Sequence, residues 1–240
     1  MYDVVIDLEV DLGGDRTDPT PYRKENILSG IGWKKSTDTN VNIWENGQDI
    51  HPFIDDLVGA RYAVFHNAKF DISWLRECGI HVTGKIIDTM INQYVLNRGV
   101  RSPLSLKHLA EHYDVTRKTD DLEEALQKGM NWSDLDPVTR RRYLTADVNA
   151  TAEIYEKQMA LFEEDASSSL VPIRDLMAEF CSVLTDIERA GMAIDIDMLD
   201  IVDQEYAQEE ATLRSYLTSQ VRDLMGDLDV NLSSPEQMSQ

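Results

Sequence analysis

Alternating apolar and polar positions mark the first part of the chain. Between residues 2 and 10 an apolar side chain occupies every even position, which predicts a strand with one buried face. Asp3, Asp7 and Glu9 fall on the opposite face of that strand. Two further β-like runs, residues 27–35 and 41–45, follow a loop rich in turn residues. Three such strands in succession indicate a β-meander.

Later segments alternate between short strands and helices, and the chain then becomes helical. Pro103 and Pro137 stand where proline is favoured at a helix start, and Gly191 interrupts the last helical pattern. The predicted elements are a strand at 61–66, a helix at 70–78, a short strand at 86–87, helices at 104–113 and from 136 to about 162, a linker at 163–169, and a helical stretch from 170 to 225 that restarts after Ile196. We therefore expect an α/β domain over residues 1–165 and a helical segment over residues 166–240.

The charge of the chain is strongly acidic and unevenly distributed. Its 44 acidic and 23 basic residues give a formal net charge of −21, which excludes a nucleic-acid-binding coat over the whole surface. Residues 1–160 carry a net charge of −7, whereas residues 161–240 carry −14. A local nucleic-acid site remains compatible with this balance where metal ions neutralise clustered carboxylates. The hydrophobic content of 42% is enough for a buried core and excludes a disordered chain.

The sequence indicates neither a thiolate metal site nor a membrane or export signal. The only two cysteines, Cys78 and Cys181, lack the spacing of zinc ligands. No apolar run approaches the roughly 20 residues that a membrane span needs. The N-terminus shows no basic stretch followed by an apolar run, which is the pattern of a signal peptide. We therefore expect a reducing, cytoplasmic location.

Asp7 and Glu9 form the first candidate for chemistry. Residues at i and i+2 of a strand point the same way, roughly 6.5–7 Å apart, so the two carboxylates can bracket one or two divalent cations. On a central strand their repulsion and desolvation are costly unless metal offsets them. Acid-x-acid patterns arise about eight times by chance in a chain this acidic, so the pair alone is equally compatible with a solvated strand face.

Two further groups of residues are candidates for chemistry. One follows the predicted strand at 61–66, and the other lies on the late helix. Asn67 and Asp71 stand at a helix start, where an ordinary cap and a dipole-stabilising acid are also expected. Tyr143 and Asp147 share one helix face at i and i+4, although a tyrosine at that spacing is more often a core residue. The run from residue 140 to 142 is three arginines, either a solvated helix face or a phosphate contact.

Taken in order, these motifs resemble those of the DEDD 3′–5′ exonucleases. Asp-x-Glu on the first strand, Asn-x-x-x-Asp after a later strand and Tyr-x-x-x-Asp on a late helix are their three motifs, and the tyrosine marks the DEDDy branch. The segments Ile-Asp-Thr-Met at 87–90 and Ser-Leu-Lys-His-Leu-Ala at 105–110 resemble the proofreading domain of family A DNA polymerases. The resemblance implies a ribonuclease H-like mixed sheet flanked by helices.

The resemblance also implies two-metal hydrolysis of DNA from the 3′ end, with release of nucleoside monophosphates. Carried over by position, Asp7 bridges two Mg²⁺ or Mn²⁺ ions, Glu9 and Asp147 hold the ion that binds the attacking water, and Asp71 supports the second. Tyr143 orients that water, because a phenol is a poor base at neutral pH. The residues expected to contact the substrate, single-stranded DNA or a DNA 3′ end, are Asn67, Arg140 and Arg141.

The helical tail resembles the entry into the polymerase region of the same enzymes. The similar stretches are residues 179–199 and the Asn-Leu-Ser-Ser-Pro-Glu-Gln-Met run at 231–238. Palm and fingers motifs are absent, so no polymerase activity is expected of this sequence itself, and a polymerase module in cis or in trans is the expected partner. The start near the first strand is more like phage enzymes, which would place the protein in the host cytoplasm. Val10 replaces the Thr that often follows the first-motif Glu, which puts a substrate hydrogen bond in doubt.

Three other interpretations remain open at the level of sequence. A ribonuclease D-like exonuclease that trims RNA has the same motif order, although the polymerase-like tail argues against it. A non-catalytic exonuclease-fold docking module is less compatible with the presence of all four carboxylates and the tyrosine. An acidic α/β protein with accidental motifs needs several coincidences at once.

Overall fold

A five-stranded mixed sheet forms the centre of the protein. The computed structural model describes residues 2–14, 18–115, 130–164 and 170–226, together with residues 231, 234 and 237. The strands are β1 (Tyr2–Asp11), β2 (Ile27–Lys35), β3 (Asn42–Glu45), β4 (Ala60–Phe65) and β5 (Lys85–Asp88). Their order is β3-β2-β1-β4-β5, so β1 is central, as the sequence predicts. The pairs β1–β2 and β2–β3 are antiparallel and form the expected meander, whereas β4 and β5 run parallel to β1.

Helices flank the sheet and continue beyond it. They are α1 (His51–Val58), α2 (Ala68–Glu77), α3 (Thr89–Leu96), α4 (Leu106–His112), a 3₁₀ helix (Trp132–Asp134), α5 (Pro137–Glu164), α6 (Leu170–Ala190) and α7 (Ile196–Met225). The sequence pattern did not predict α1 or α3. Helix α4 begins two residues later than predicted, because the Ser105 side chain accepts from the His108 N–H and caps it. Most of the predicted linker at 163–169 and of the polymerase-like run at 231–238 lies outside the described residues.

The chain divides into two compact units, Met1–Ala190 and Gly191–Gln240. In the second unit, α7 is capped by the Asp195 side chain, which accepts from the Met198 N–H at 3.0 Å. The boundary predicted after residue 165 was drawn from resemblance to other proteins and not from packing, and it stays a prediction. None of the helices in the described segments is long and apolar enough to cross a membrane.

The two faces of β1 bury different sets of side chains. The even face, with Val4, Ile6 and Leu8, belongs to a core shared with α1 and α2. On the odd face, Val5 packs with Val148 and Tyr155 of α5. The Tyr155 hydroxyl also donates to Asp3 Oδ2 at 3.1 Å, and Arg61 completes that cluster from the solvent side. The strand that carries Asp7 and Glu9 is therefore enclosed by helices on both sides.

Two glycines allow α5 to lie directly on the sheet. Gly32 pairs with Asp7 and Gly30 pairs with Glu9 across the β1–β2 ladder. A Cβ at position 32 would lie 3.0 Å from Val148 Cγ2 and 3.1 Å from Leu144 Cδ2. The absence of side chains on this part of β2 brings the helix that carries Tyr143 and Asp147 to the level of the β1 carboxylates.

Helix α6, the last helix of the first unit, packs against α2, α3 and β5. Arg76 of α2 donates to the Ser182 carbonyl at 3.0 Å and to the Ser182 hydroxyl at 2.7 Å, and it forms an ion pair with Asp186 at 2.5 Å. Lys69 adds a second pair with Glu188, at 2.8 Å. Because these contacts join α6 to α2, residues 170–190 are structurally part of the exonuclease-like unit.

A bulky side chain at position 32 tests the close approach of α5 to β2. We expect Gly32→Val to lower the free energy of unfolding by about 1–3 kcal/mol, because the added methyl groups must displace Leu144 and Val148. Chemical denaturation measures the change. Ile31→Val, on the other face of the same strand, is the matched control and removes only one methylene. An unchanged midpoint for Gly32→Val would contradict the packing described.

The reactivity of the two thiols tests the packing of α6. Cys181 is buried, and burial together with the Asp88 carboxylate raises the pKa of its thiol to about 11, whereas Cys78 is exposed. Because the thiolate is the reactive form, we expect Ellman's reagent at pH 8 to modify Cys78 well before Cys181. The variants Cys78→Ser and Cys181→Ser assign the two phases. Equal rates in the native protein would mean that α6 does not bury Cys181 against α2, α3 and β5.

Candidate active site

Asp7 and Glu9 lie near the end of the central strand, on the face that α5 covers. Both residues are half-buried. Leu144 and Val148 contact the position of Gly32 opposite Asp7, and Tyr155 contacts Asp3 at the start of the strand. Helix α5 therefore runs antiparallel to β1, and Asp147 lies at the level of Asp7.

Asp71 occupies the first turn of α2 and is only 3% exposed. Burial, with added repulsion from the carboxylates of Asp7 and Asp88, raises the pKa of Asp71 well above its ordinary value, although the backbone N–H groups of Asp71 and Leu8 oppose the shift. The carboxylates that the sequence placed in different motifs thus share one electrostatic environment. A cation between them would offset the repulsion and the desolvation.

The backbone at Asn67 makes the turn from β4 into α2. Asn67 adopts a left-handed conformation, with φ of 68°, which asparagine tolerates better than most residues. Its N–H donates to Asp88 Oδ1 at 3.1 Å, and the Ala68 N–H donates to Asp88 Oδ2 at 2.8 Å. Asn67 itself is exposed, and its contact with a substrate stays a prediction.

Asp88 is a component of the site that the sequence analysis did not assign. Besides binding the start of α2, its Oδ1 accepts from the Met90 N–H at 2.8 Å and from Ile91, so that one carboxylate caps α2 and α3 together. Burial raises its pKa, and the four backbone N–H groups oppose the shift. The sequence signal at this position was the resemblance of the segment 87–90, which gave Asp88 no role of its own.

Tyr143 and Asp147 are both buried on α5, as their shared helix face predicts. Tyr143 is 9% exposed and Asp147 is 4% exposed. The Tyr143 ring meets the Trp132 indole edge-to-face, with centroids 6.1 Å apart. Trp132 comes from the 3₁₀ helix and lies against Gly30, opposite Glu9. One aromatic side chain thus contacts the Tyr143 ring and lies against the strand position paired with Glu9.

The arginines before Tyr143 have different environments. Arg140 is largely covered and its Nε lies 3.4 Å from Glu45 Oε1, so its charge already has a partner. Arg141 and Arg142 are exposed on α5. Contact of Arg140 or Arg141 with a substrate phosphate stays a prediction, and the exposed guanidinium of Arg141 is better placed for it.

The residues fit divalent cations by their chemistry. Asp7, Glu9, Asp71 and Asp147 offer only oxygen ligands, which suit Mg²⁺ or Mn²⁺. The raised pKa of Asp71 shows that its carboxyl lies in a desolvated, negatively charged setting, which is the condition that a cation relieves. Within the described segments, no group of three or more His, Cys, Asp or Glu side chains is arranged so that it could hold a metal ion.

Comparison with known families gives an independent result. The family described as 3′–5′ exonuclease, of the DNA polymerase A type, matches residues 16–161, a range that includes Asp71, Tyr143 and Asp147. A DNA polymerase of Bacillus phage SP01 is 29% identical over 154 residues, which cover 62% of this chain and 17% of that protein. DNA polymerase I of Synechocystis is 28% identical over 178 residues, covering 73% of this chain and 17% of its own. The chain thus spans about a sixth of the length of these relatives.

Solved structures share the fold. Brucella melitensis NrnC with bound Mg²⁺ has a TM-score of 0.60 at 18% identity and covers 79% of this chain and 86% of its own. Escherichia coli RNase D has a TM-score of 0.57 at 16% identity, covering 77% and 45%. The POL domain of Pol1 from M. smegmatis, in complex with DNA primer-template and dNTP, has a TM-score of 0.59 at 17% identity, covering 99% of this chain and 36% of that one.

Fold and family therefore agree with the prediction from the motifs. The solved neighbours share the fold, with its mixed sheet and flanking helices. The relatives in sequence are family A DNA polymerases, phage enzymes among them. The chain belongs to the 3′–5′ exonuclease family of the DNA polymerase A type.

Proposed function

We propose that this protein is a metal-dependent 3′–5′ exodeoxyribonuclease of the proofreading type. The observation that carries the proposal is the electrostatic coupling of Asp71 to Asp7 at the end of the central strand, beside the helix that brings Asp147 and Tyr143. The substrate is a DNA 3′ end, and the products are nucleoside monophosphates. The magnesium-bound state of the NrnC neighbour supports a divalent cation as the cofactor.

The four carboxylates would hold two cations, Mg²⁺ or Mn²⁺. We assign Asp7 to both ions, Glu9 and Asp147 to the first, and Asp71 to the second. When bound, such ions activate water and stabilise the charge on the attacking and leaving oxygens. Burial of Asp71 and Asp147 keeps their carboxylates in fixed positions, and removing bulk water strengthens their electrostatic interactions.

Tyr143 and the mouth of the site complete the arrangement. The phenol is fixed between α5 and Trp132, so its hydroxyl has a defined position from which to orient the attacking water. Asn67, exposed at the start of α2, and Arg141, exposed on α5, lie where the substrate end and its phosphates would enter. Arg140 contributes through its pair with Glu45, which keeps the start of α5 on β3.

DNA is the substrate that the relatives in sequence favour, because those named here are DNA polymerases. The fold of RNase D supports the second candidate, an exonuclease acting on RNA, and NrnC shares that fold as well. The 2′-OH is the group that separates the two substrates. Digestion of 3′-labelled single-stranded DNA and of the matching RNA, with Mg²⁺, with Mn²⁺ and with chelator, decides between them.

A polymerase module in cis is the partner that we propose. The alignment with the POL domain covers 99% of this chain, including α6 and α7. Helix α6 also has exposed apolar residues that recur at spacings of three and four: Ile173, Leu176, Phe180, Val183 and Ile187. An apolar face of this extent is unusual for a surface that stays in water.

Removal of the central carboxylates tests the catalytic assignment. We expect Asp7→Ala and Asp147→Ala to lower the rate of 3′ trimming in Mg²⁺ by at least about a thousand-fold, because ion-held charge stabilisation is worth several kcal/mol. The folded state should persist, as monitored by circular dichroism. Asp55→Ala, an exposed acid on α1, is the matched control and should digest at the normal rate. Normal digestion by a folded Asp7→Ala protein would refute the assignment.

Replacement of the phenol tests the role of Tyr143. We expect Tyr143→Phe to slow digestion by about ten- to a hundred-fold without abolishing it, because an orienting hydrogen bond is lost while the ligands remain. Single-turnover rates at saturating Mg²⁺ measure the effect. Tyr155→Phe is the control, since its hydroxyl lies on the same helix but bonds to Asp3. If the rate of Tyr143→Phe is unchanged, the phenol is not part of the reaction.

A further inference from the structure

Trp132 is among the most completely buried side chains of the protein and has an unusual polar group. The residue is 1% exposed. Its indole N–H is fully covered and has no hydrogen-bond acceptor among the residues that the structure describes. The other three indole N–H groups all have one: Trp33 donates to Asp56, Trp44 to the Gln48 carbonyl and Trp74 to the Pro19 carbonyl. A buried donor without an acceptor is rare and calls for a reason.

The position of the indole is fixed by the end of β1. The Ser133 N–H donates to Asp11 Oδ1 at 3.0 Å, and the Leu12 N–H donates to Asn131 Oδ1 at 3.2 Å. Asp134 closes a capping box by accepting from the Asn131 N–H at 2.8 Å. The 3₁₀ helix is therefore held by Asp11 and Leu12, shortly after Glu9, and the Trp132 ring has little freedom to move.

The indole nitrogen occupies the place next to Glu9 on the neighbouring strand. Gly30 pairs with Glu9, and a Cβ built at Gly30 would lie 3.0 Å from Trp132 Nε1. Side chains of directly paired residues point to the same face, with Cβ atoms roughly 4.5–5.5 Å apart. Trp132 Nε1 thus stands where the cross-strand neighbour of Glu9 would be, within the reach of a glutamate carboxylate.

The opposite contact of the same ring is Tyr143, at 6.1 Å between centroids and 61° between planes. Trp132 therefore touches the surroundings of two proposed site residues from one rigid position. A leucine or phenylalanine would fill the same apolar space, so packing alone does not explain a side chain that leaves an N–H without an acceptor.

We propose that Trp132 is a positioning residue: when a cation is bound, its Nε1–H, which has no acceptor among the described residues, would donate to the carboxylate of Glu9 and fix that carboxylate as a ligand. The inference rests on the proposed function, because it assigns Glu9 to the cation. Carboxylate ligands are commonly oriented by such outer hydrogen bonds, and the loss of one typically lowers metal affinity about 10- to 100-fold. This role of Trp132 also explains why position 30 is a glycine, since any side chain there would displace the indole.

Binding of Mn²⁺ without substrate tests the proposal directly. Electron paramagnetic resonance of the free Mn²⁺ ion, titrated into the full chain, gives the affinity independently of activity. We expect Trp132→Phe, which keeps an aromatic ring but lacks the N–H, to weaken binding about tenfold. Trp33→Phe is the matched control: it loses a hydrogen bond from the other face of β2 and should bind Mn²⁺ normally.

Two further variants separate orientation of Glu9 from general packing. Gly30→Ala retains the indole but displaces it, so it should weaken binding in the same direction as Trp132→Phe. In a Glu9→Ala background, Trp132→Phe should cause no further loss, because the acceptor is gone. Thermal unfolding without cation confirms that each variant is folded.

The outcomes distinguish this inference from the proposed function. Unchanged Mn²⁺ affinity in both Trp132→Phe and Gly30→Ala would overturn the role of Trp132 while leaving the exonuclease assignment in place. An equal loss in the presence and absence of Glu9 would show that Trp132 acts through packing, which also overturns it. If the unaltered protein binds no Mn²⁺ and digests neither DNA nor RNA, the proposed function fails and the inference fails with it.

Discussion

Crowding of negative charge at the end of the central strand is the constraint on which the rest of the structure depends. Asp71 is almost completely buried, and its pKa is raised by that burial and by the carboxylates of Asp7 and Asp88. Such an arrangement is unfavourable for folding, because desolvated charges of one sign repel each other. The proposed function needs those oxygens together, and a bound divalent cation would supply the compensating charge.

The surrounding elements keep these carboxylates in place. Gly30 and Gly32 remove side chains from β2, so that α5 and the 3₁₀ helix reach the strand that carries Asp7 and Glu9. Asp88 joins the starts of α2 and α3 through four backbone N–H groups, which fixes the turn that bears Asp71. Helix α6 then covers the outer side of α2 through Arg76 and Lys69.

Much of this arrangement could be predicted from the sequence, because it depends on local patterns. Apolar residues at every even position from 2 to 10 predicted the central strand and its even face, and the i, i+4 spacing predicted the shared face of Tyr143 and Asp147. Contacts between distant residues could not be predicted in this way. The double cap at Asp88 and the pair between Arg140 and Glu45 depend on which elements become neighbours in space. The placement of Trp132 against Gly30 depends on sheet register and helix packing together, and neither has a local signal.

The central claim is that the carboxylates around Asp7 bind two divalent cations. X-ray diffraction from crystals grown with Mn²⁺ and a nucleoside monophosphate, recorded at a wavelength where manganese scatters anomalously, tests it most directly. The predicted result is two anomalous peaks about 3.5–4 Å apart, with Asp7 contacting both and Glu9, Asp71 and Asp147 each contacting one. Anomalous density that is absent from these carboxylates, although the nucleotide is bound and Mn²⁺ is saturating, would contradict the claim.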